Sequence, residues 1–595
     1  MSFVGRGASQ LYLRWPRGAA ILICGLMGLL CPAAFGLLVG IPEPLVHDEY
    51  SYLLGADTFA NGRLSNPSPQ LPDFFEAPHV IVSPWYGSKY PPGQSMVLAV
   101  GQVLCGHPIW GVWISCGLFA SALCWMLHTW VSRHWAVAIT VMAVATIGTS
   151  TYWAQSYWGG MVAATGGALL FGGMRCTLNE PRILSSMAMG LGVVVLAYTR
   201  PLEGLLTALP ASIVIVGWLF RRGRHGADSK LRRFLVPFGT IVVLGLISMG
   251  AYNKAVTGDA LRTPYEVHAA QYLHQDVFVF GPQLQPERTA VDRLSAFYRH
   301  YAYDPVRGLD MLAKCAQHLA VRLPLSIMAG LGFMPAPPAG TQRYCGVILW
   351  MILVIPLLTT VPKRVLLMLA GGASIVESLA WMYVPAYPLA LVPFVLAPWL
   401  VLVVNAGRRA AWFSFTVITI LSVTIAQSFV WWWFPHYVAP LVPLVLAGLA
   451  TSIQFAARRQ ALTARQVGFV IAVLLSAHAI TLAILYGAIN RPQDMARLAT
   501  RGEILNQLAN ADGLHVVFVS YERQYTIHRE WVYNSADLIG TPVLFAHDRG
   551  GPLNELLLAE FPERHAWILR VSNTKVQLSE YRGASQHASG VSNTR

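Results

Sequence analysis

Charged side chains are scarce in this chain of 595 residues: Asp, Glu, Lys and Arg make up only 12% of it, where a soluble domain carries about a quarter. A disordered chain needs high charge and low hydrophobicity, so disorder is excluded. A soluble globular enzyme of this length is strongly disfavoured on the same ground. Acids are the scarcer sign, with 28 Asp and Glu against 42 Lys and Arg. Eight cysteines are present, most inside apolar runs (Cys24, Cys31, Cys105, Cys116, Cys124), and no CxxC pair occurs. Neither a zinc site nor a disulfide framework is indicated. The 37 Pro and 19 Trp exclude a simple coiled coil.

What is abundant is apolar sequence, at 55% of the chain. A bilayer-crossing helix needs about 20 mostly apolar residues. Candidate spans are 19–41, 109–131, 134–151, 159–177, 183–199, 203–220, 234–253, 345–361, 365–384, 386–404, 411–433, 437–456 and 467–488. The expected fold class is therefore an all-α polytopic membrane protein of about 13 helices, with a small α/β domain after them. Arg6, Arg14 and Arg17 precede the first run, which is too long for a signal-peptide core and reads as a retained span.

The net charge of +14 sits mostly in short gaps between apolar runs, as in Arg221, Arg222, Arg224, Lys230, Arg232 and Arg233. That is the positive-inside pattern, not a nucleic-acid surface. Alternation then puts 42–93, 254–310 and the tail on the outer side. Residues 311–335, with Lys314, His318 and Arg322, read as interfacial or re-entrant, since a further span would put Arg408 and Arg409 outside. A 50-residue offset relates Ser378, Trp381, Pro385 and Tyr387 to Ser428, Trp431, Pro435 and Tyr437. Interfacial aromatics with helix-breaking prolines account for it, or a duplicated unit. The paired glycines at 159–160, 166–167 and 172–173 read as close helix packing.

The domain reading is a membrane domain over 1–488, with a first outer loop 42–93 and a second outer region 254–335. An outer α/β domain follows over 489–580, and 581–595 is a loose end. In the tail, a helix over 494–511 precedes strands at 515–520 and 542–546, a helix at 552–560 and a strand at 566–569. No GxGxxG or phosphate-binding loop follows a strand there.

Loop 42–93 holds His47-Asp48-Glu49-Tyr50, then Phe75-Glu76, His79 and Ser88-Lys89-Tyr90-Pro91-Pro92-Gly93. Adjacent carboxylates at an interface suit base catalysis or metal binding. Equally, Asp48 can cap a helix over 49–64 while Glu49 complements its dipole. Lys89 can snorkel, or hold a phosphate as a point charge.

These residues together resemble the GT-C superfamily of lipid-linked-sugar glycosyltransferases. The branch they resemble is the protein-O-mannosyltransferase and aminoarabinose-transferase type, glycosyltransferase family 39. Thr199-Arg200-Pro201-Leu202-Glu203-Gly204, Ala251-Tyr252-Asn253, Phe434-Pro435-His436-Tyr437 and Glu530-Trp531-Val532-Tyr533-Asn534 are similar to bacterial members. The resemblance implies transfer of a sugar from a polyprenyl-phosphate donor to a lipid, glycan or protein acceptor, with inversion. It implies a bacterial inner membrane, with the active site on its outer side and membrane lipids as surroundings. It implies Asp48 as general base with Glu49 in support, and Lys89, Arg200 and Arg262 toward the donor phosphate. Tyr50, Glu76, His79, Tyr90, Gln155, Tyr157, Glu203, Tyr265 and Glu266 are the candidate substrate contacts.

A divalent metal is left open as cofactor. One departure weakens it: the loop Tyr152–Gly160 carries no carboxylate, where many relatives have one, so a second acid falls to Glu203 or Glu266. Plainer readings stand beside these. Gln155 and Tyr157 can anchor at the interface, and Arg200 can pair with Glu203. Residues 254–310 can form a solvated cap, and His436 can belong to an aromatic belt. Two other classes compete with the enzyme: a transporter or flippase of lipid-linked glycans, and a non-catalytic scaffold. A carrier places ionisable groups at the midplane of spans. Glu377 is one of few here, and the acids gather in outer loops instead.

Overall fold

Helix α1 (Arg17–Val39) ends at Gly40 and leads into the loop before α2 in a computed structural model that describes residues 16–223, 229–288, 291–330, 411–458, 500–526 and 529–583. The helices that follow are α2 (His47–Ala60), α3 (Pro92–Cys105), α4 (Ile109–Leu127), α5 (Arg133–Thr146), α6 (Met161–Asn179), α7 (Ile183–Thr199), α8 (Pro201–Gly223) and α9 (Ser229–Thr257). Beyond them lie α10 (Pro264–Tyr272), α11 (Asp292–His300), α12 (Gly308–Gly330), α13 (Ala411–Ser428) and α14 (Val442–Arg458). Five of the described helices are long and apolar enough to cross a membrane, those at 17–39, 109–127, 161–179, 201–221 and 231–257. The chain is a helical polytopic membrane protein by these lengths and compositions.

Small residues let these helices approach closely. A Cβ on Gly28 of α1 would stand 2.7 Å from Ala120 Cβ and from Cys116 O of α4. Gly173 of α6 meets Ser185 O of α7 at 2.7 Å on the same construction, and Gly160 meets Ala439 Cβ at 2.7 Å. The packed interior draws Leu123 from α4, Ile139 from α5, Phe171 from α6 and Leu444 from α14.

Some expectations shift. Residues 134–151 were expected to span, but α5 ends at Thr146 after 14 residues, about 21 Å at 1.5 Å per residue. Just past its end, Thr149 donates to Val144 O at 2.8 Å and Thr151 to Ile147 O at 2.6 Å. The described part of the basic segment, 311–330, lies in α12. There His318 Nδ1 bonds Ser428 O at 2.8 Å, and Arg322 donates to the carbonyls of Gln427 and Trp431. These bonds satisfy carbonyls at and beyond the end of α13. The expected spans 345–361, 365–384, 386–404 and 467–488, with Glu377 and the first copy of the repeat, lie outside the described residues.

Outside the spans, loop 61–91 forms a small sheet of β1 (Asn66–Pro67), β2 (Val80–Ile81) and β3 (Trp85–Ser88), in the order β1-β3-β2. The C-terminal part contains α15 (Arg501–Ala509), β4 (Leu514–Tyr521), β5 (Val543–His547), α16 (Gly551–Glu560), β6 (Arg564–Val571) and β7 (Val576–Glu580). Its sheet order is β5-β4-β6-β7, parallel except for β7. Strand β4 (LHVVFVSY) is buried on both faces, as an apolar run without alternation requires. This sheet packs directly on the first loop: Phe74, Phe75, Val80 and Tyr86 share a core with Val516, Phe518, Tyr533 and Leu544.

Helix α3 ties the loop to the spans through glycine. A Cβ on Gly101 would overlap Gly111 N and stand 2.8 Å from Gly111 Cα, backbone that cannot yield. Gly101→Val is expected to destabilise the protein by about 1–3 kcal/mol or more, read as a lower melting temperature in detergent. An unchanged melting temperature would show that α3 and α4 are not closely crossed.

Candidate functional site

The site begins at the first turn of α2. Val46 is the N-cap, and Glu49 bends back so that its Oε2 accepts from Leu45 N at 2.7 Å and Val46 N at 3.2 Å. Its other oxygen accepts from Tyr157 N at 2.9 Å. The carboxylate is buried, which pushes its pKa up against the pull of three amides. The capping role expected for Asp48 therefore belongs to Glu49. Asp48 sits one position inside the helix and turns toward other partners.

Those partners come from the far end of the same loop. Tyr90 donates its hydroxyl to Asp48 Oδ1, and His79 Nε2 stands 3.9 Å from Oδ2. The Asp48 side chain keeps 28% exposure, enough to meet a ligand. Tyr90 stacks on Tyr52 at 4.4 Å. Burial and the Asp48 charge push the Tyr90 phenol well up, so it stays a donor. His79 holds φ +68°, a left-handed conformation that side chains seldom adopt. It is clamped there: its N–H donates to Tyr298 Oη at 3.0 Å and its carbonyl accepts from Ser51 Oγ at 2.7 Å. Burial drives the imidazole pKa well down, so the ring is neutral near pH 7. His268 Nε2 bonds the same Tyr298 hydroxyl at 2.8 Å.

Lys89 is the unusual group. It is 6% exposed, and its ammonium lies 5.0 Å from the ring centres of both Tyr90 and Tyr265. It makes no side-chain hydrogen bond or ion pair among the described residues. Burial pushes its pKa down to about 8, while Asp48 pulls it up. Arg200 closes α7 and lies 4.8 Å from the Tyr437 ring. It forms no ion pair with Glu203, which is buried. Tyr52, pushed up to about 12 chiefly by burial, also feels Arg200, Asp48 and Glu203, so these charges share one field.

The structure thus gathers Asp48, His79, Lys89, Tyr90, Arg200, Glu203 and Tyr265. The other candidates are engaged elsewhere. Glu76 is sealed by Arg288 (Nε to Oε1, 2.6 Å) and Val291 N (2.7 Å). Glu266 closes a capping box with Thr263, and Arg262 is exposed. Gln155 donates to the carbonyls of Pro32 and Thr149, and the Tyr157 hydroxyl donates to Pro42 O. Tyr50 stacks on Tyr533 at 4.1 Å. His436 packs against Trp158 at 4.5 Å.

Two participants went unread in the sequence. Tyr52 follows Asp48 by one helical turn, a spacing that puts both on one face. Tyr298 had no local signal. No group of three His, Cys, Asp or Glu side chains able to hold a metal occurs among the described residues. With Glu49 spent on amides and Glu76 on a guanidinium, this donor set does not suit a divalent ion.

No family model matches the chain, and no curated protein matches it. Among solved structures it is similar to ArnT from Cupriavidus metallidurans bound to undecaprenyl phosphate, at 15% identity and a TM-score of 0.35, over 96% of this chain and 94% of that one. The apo state of the same protein gives 13% identity and a TM-score of 0.33 over the same shares. Likeness of this degree carries no functional conclusion, which has to come from the side chains.

A buried ammonium with no ion pair among the described residues opposes folding. Its folded pKa lies below the unfolded one, so the penalty is full below pH 8 and fades as pH rises toward 10.5. Lys89→Met is therefore expected to stabilise the ligand-free protein at pH 7 by about 1–3 kcal/mol. A melting temperature that falls in this variant would mean Lys89 is already paired.

Proposed function

We propose that the chain is a membrane glycosyltransferase. It moves a sugar from a polyprenyl-phosphate donor to an acceptor hydroxyl, with inversion, on the extracytoplasmic face of a bacterial inner membrane. One observation carries this reading: Lys89, a buried cation with no ion pair among the described residues, lies against the ring of Tyr90, whose hydroxyl donates to the partly exposed carboxylate of Asp48. Buried charges are ordinarily paired, so this pairing of an unfilled anion site with a base belongs to a reaction that brings its own anion.

The chemistry follows from those two groups. Asp48 accepts the proton of the acceptor hydroxyl, and the acceptor oxygen attacks the anomeric carbon of the sugar. The bond from that carbon to the phosphate oxygen breaks, and polyprenyl phosphate leaves with one more negative charge. Lys89 and Arg200 offset that charge in a site where little water competes. Tyr90 orients Asp48 by donating to Oδ1, which leaves Oδ2 toward the acceptor. Neutral His79 adds no competing charge. In this reading Glu49 is the brace of the helix start and Asp48 alone is the base.

Asp48→Asn keeps the size of the side chain and removes the base. It is expected to lower kcat by about 10²–10⁴-fold, with membrane insertion and melting temperature unchanged. The assay is consumption of radiolabelled polyprenyl-phosphate sugars by membranes. Near wild-type turnover in Asp48→Asn would remove Asp48 from the chemistry.

A further inference from the structure

Segment 531–536 of the C-terminal part touches helix α2 at both of its ends. At the start, the Tyr533 hydroxyl lies 2.7 Å from His47 Nδ1, and the Tyr533 ring stacks on Tyr50 at an interplanar angle of 1°. These two contacts flank Asp48 and Glu49 in sequence. At the far end, Ala536 N donates to Asp57 Oδ2 at 2.7 Å, and Gln102 of α3 holds Asp57 Oδ1 at 3.0 Å.

The same Tyr533 hydroxyl stands 3.5 Å from Pro78 O. His47 precedes Asp48 and Pro78 precedes His79, so one oxygen meets the residue before each of the two facing groups. Both bonds are satisfied when His47 carries its proton on Nδ1 and the phenol donates to Pro78. Tyr533 is itself fixed. Arg501 donates to the carbonyls of Tyr533 and Trp531, and Asn534 exchanges two bonds with Phe545 of β5, at 2.9 and 2.8 Å. Tyr86 of β3 donates to Asn534 O at 3.2 Å.

We infer that Tyr533 is a positioning residue of the transferase site: its hydroxyl sets the distance between Asp48 and His79 by bridging His47 and Pro78. This rests on the function proposed above, and it makes the C-terminal sheet part of the catalytic apparatus. Glu49 braces the turn before α2 from the side of Tyr157, and Tyr533 meets the same turn at His47 from the side of the C-terminal sheet. The sheet is a rigid support for that turn, which loops alone do not supply.

Tyr533→Phe keeps the stack on Tyr50 and removes only the bridge. A neutral hydrogen bond of this kind is worth about tenfold in an equilibrium. We expect kcat to fall about tenfold with the donor KM within about twofold, while amide exchange over 47–53 quickens about tenfold. Exchange over β4 and β6 stays at the wild-type rate. His47→Ala combined with Tyr533→Phe is expected to be no worse than either alone. Unaltered exchange over 47–53, or quickened exchange with wild-type kcat, overturns the inference. If the wild-type protein consumes no polyprenyl-phosphate sugar, the transferase reading falls, and the exchange rates still decide whether Tyr533 holds α2.

Discussion

The Glu49 carboxylate joins three backbone amides from two separate stretches of chain, and the geometry of the site depends on that junction. Two of the amides, Leu45 and Val46, are the orphan donors just before α2; the third, Tyr157, belongs to the chain between α5 and α6. One side chain therefore caps the helix and fastens its start to the membrane-embedded body. It also decides the direction of Asp48. Adjacent residues on a helix point about 100° apart, so anchoring Glu49 against Tyr157 swings Asp48 toward Tyr90, His79 and the Lys89 side of the loop.

The second constraint is electrostatic. A buried ammonium beside two tyrosine faces gains about 1–2 kcal/mol from the rings, less than full desolvation costs an ion. Asp48 offsets part of the rest at a distance. Lys89 has no ion pair among the described residues, and an incoming phosphate would supply one. The tight clamp on His79, with a strained φ and two backbone hydrogen bonds, belongs to the same economy of charge. A neutral imidazole there fills space beside Asp48 without pairing with it.

Much of this was legible in the sequence. The apolar runs located the long helices, because a continuous run of about 20 apolar residues has few other uses. The β4, β5 and β6 readings fall within a few residues of the strands at 514–521, 543–547 and 564–571. Asp48, Lys89 and Tyr90 share one loop and meet in space. What was not legible depends on the third dimension. Val46-His47-Asp48-Glu49 offers caps in two registers, and only the nearby Tyr157 amide selects Glu49. Glu76 reads as a substrate contact until Arg288, 212 residues away, covers it. Tyr298 and Tyr533 reach the site through tertiary packing, which leaves no periodic trace.

Under the proposed function, Lys89 is charged and without an ion pair among the described residues until a polyprenyl phosphate arrives. The direct measurement is the dissociation constant of a polyprenyl monophosphate from the purified protein as a function of pH. With Lys89 at a pKa of about 8 in the ligand-free protein, the charged form is lost as pH rises through that value. Binding is expected to be steady from pH 7 to 7.5 and to weaken by up to about tenfold per unit well above pH 8, and Lys89→Met is expected to bind weakly at every pH. Equal affinity at pH 7 and pH 9.5, or undiminished binding by Lys89→Met, would contradict the account.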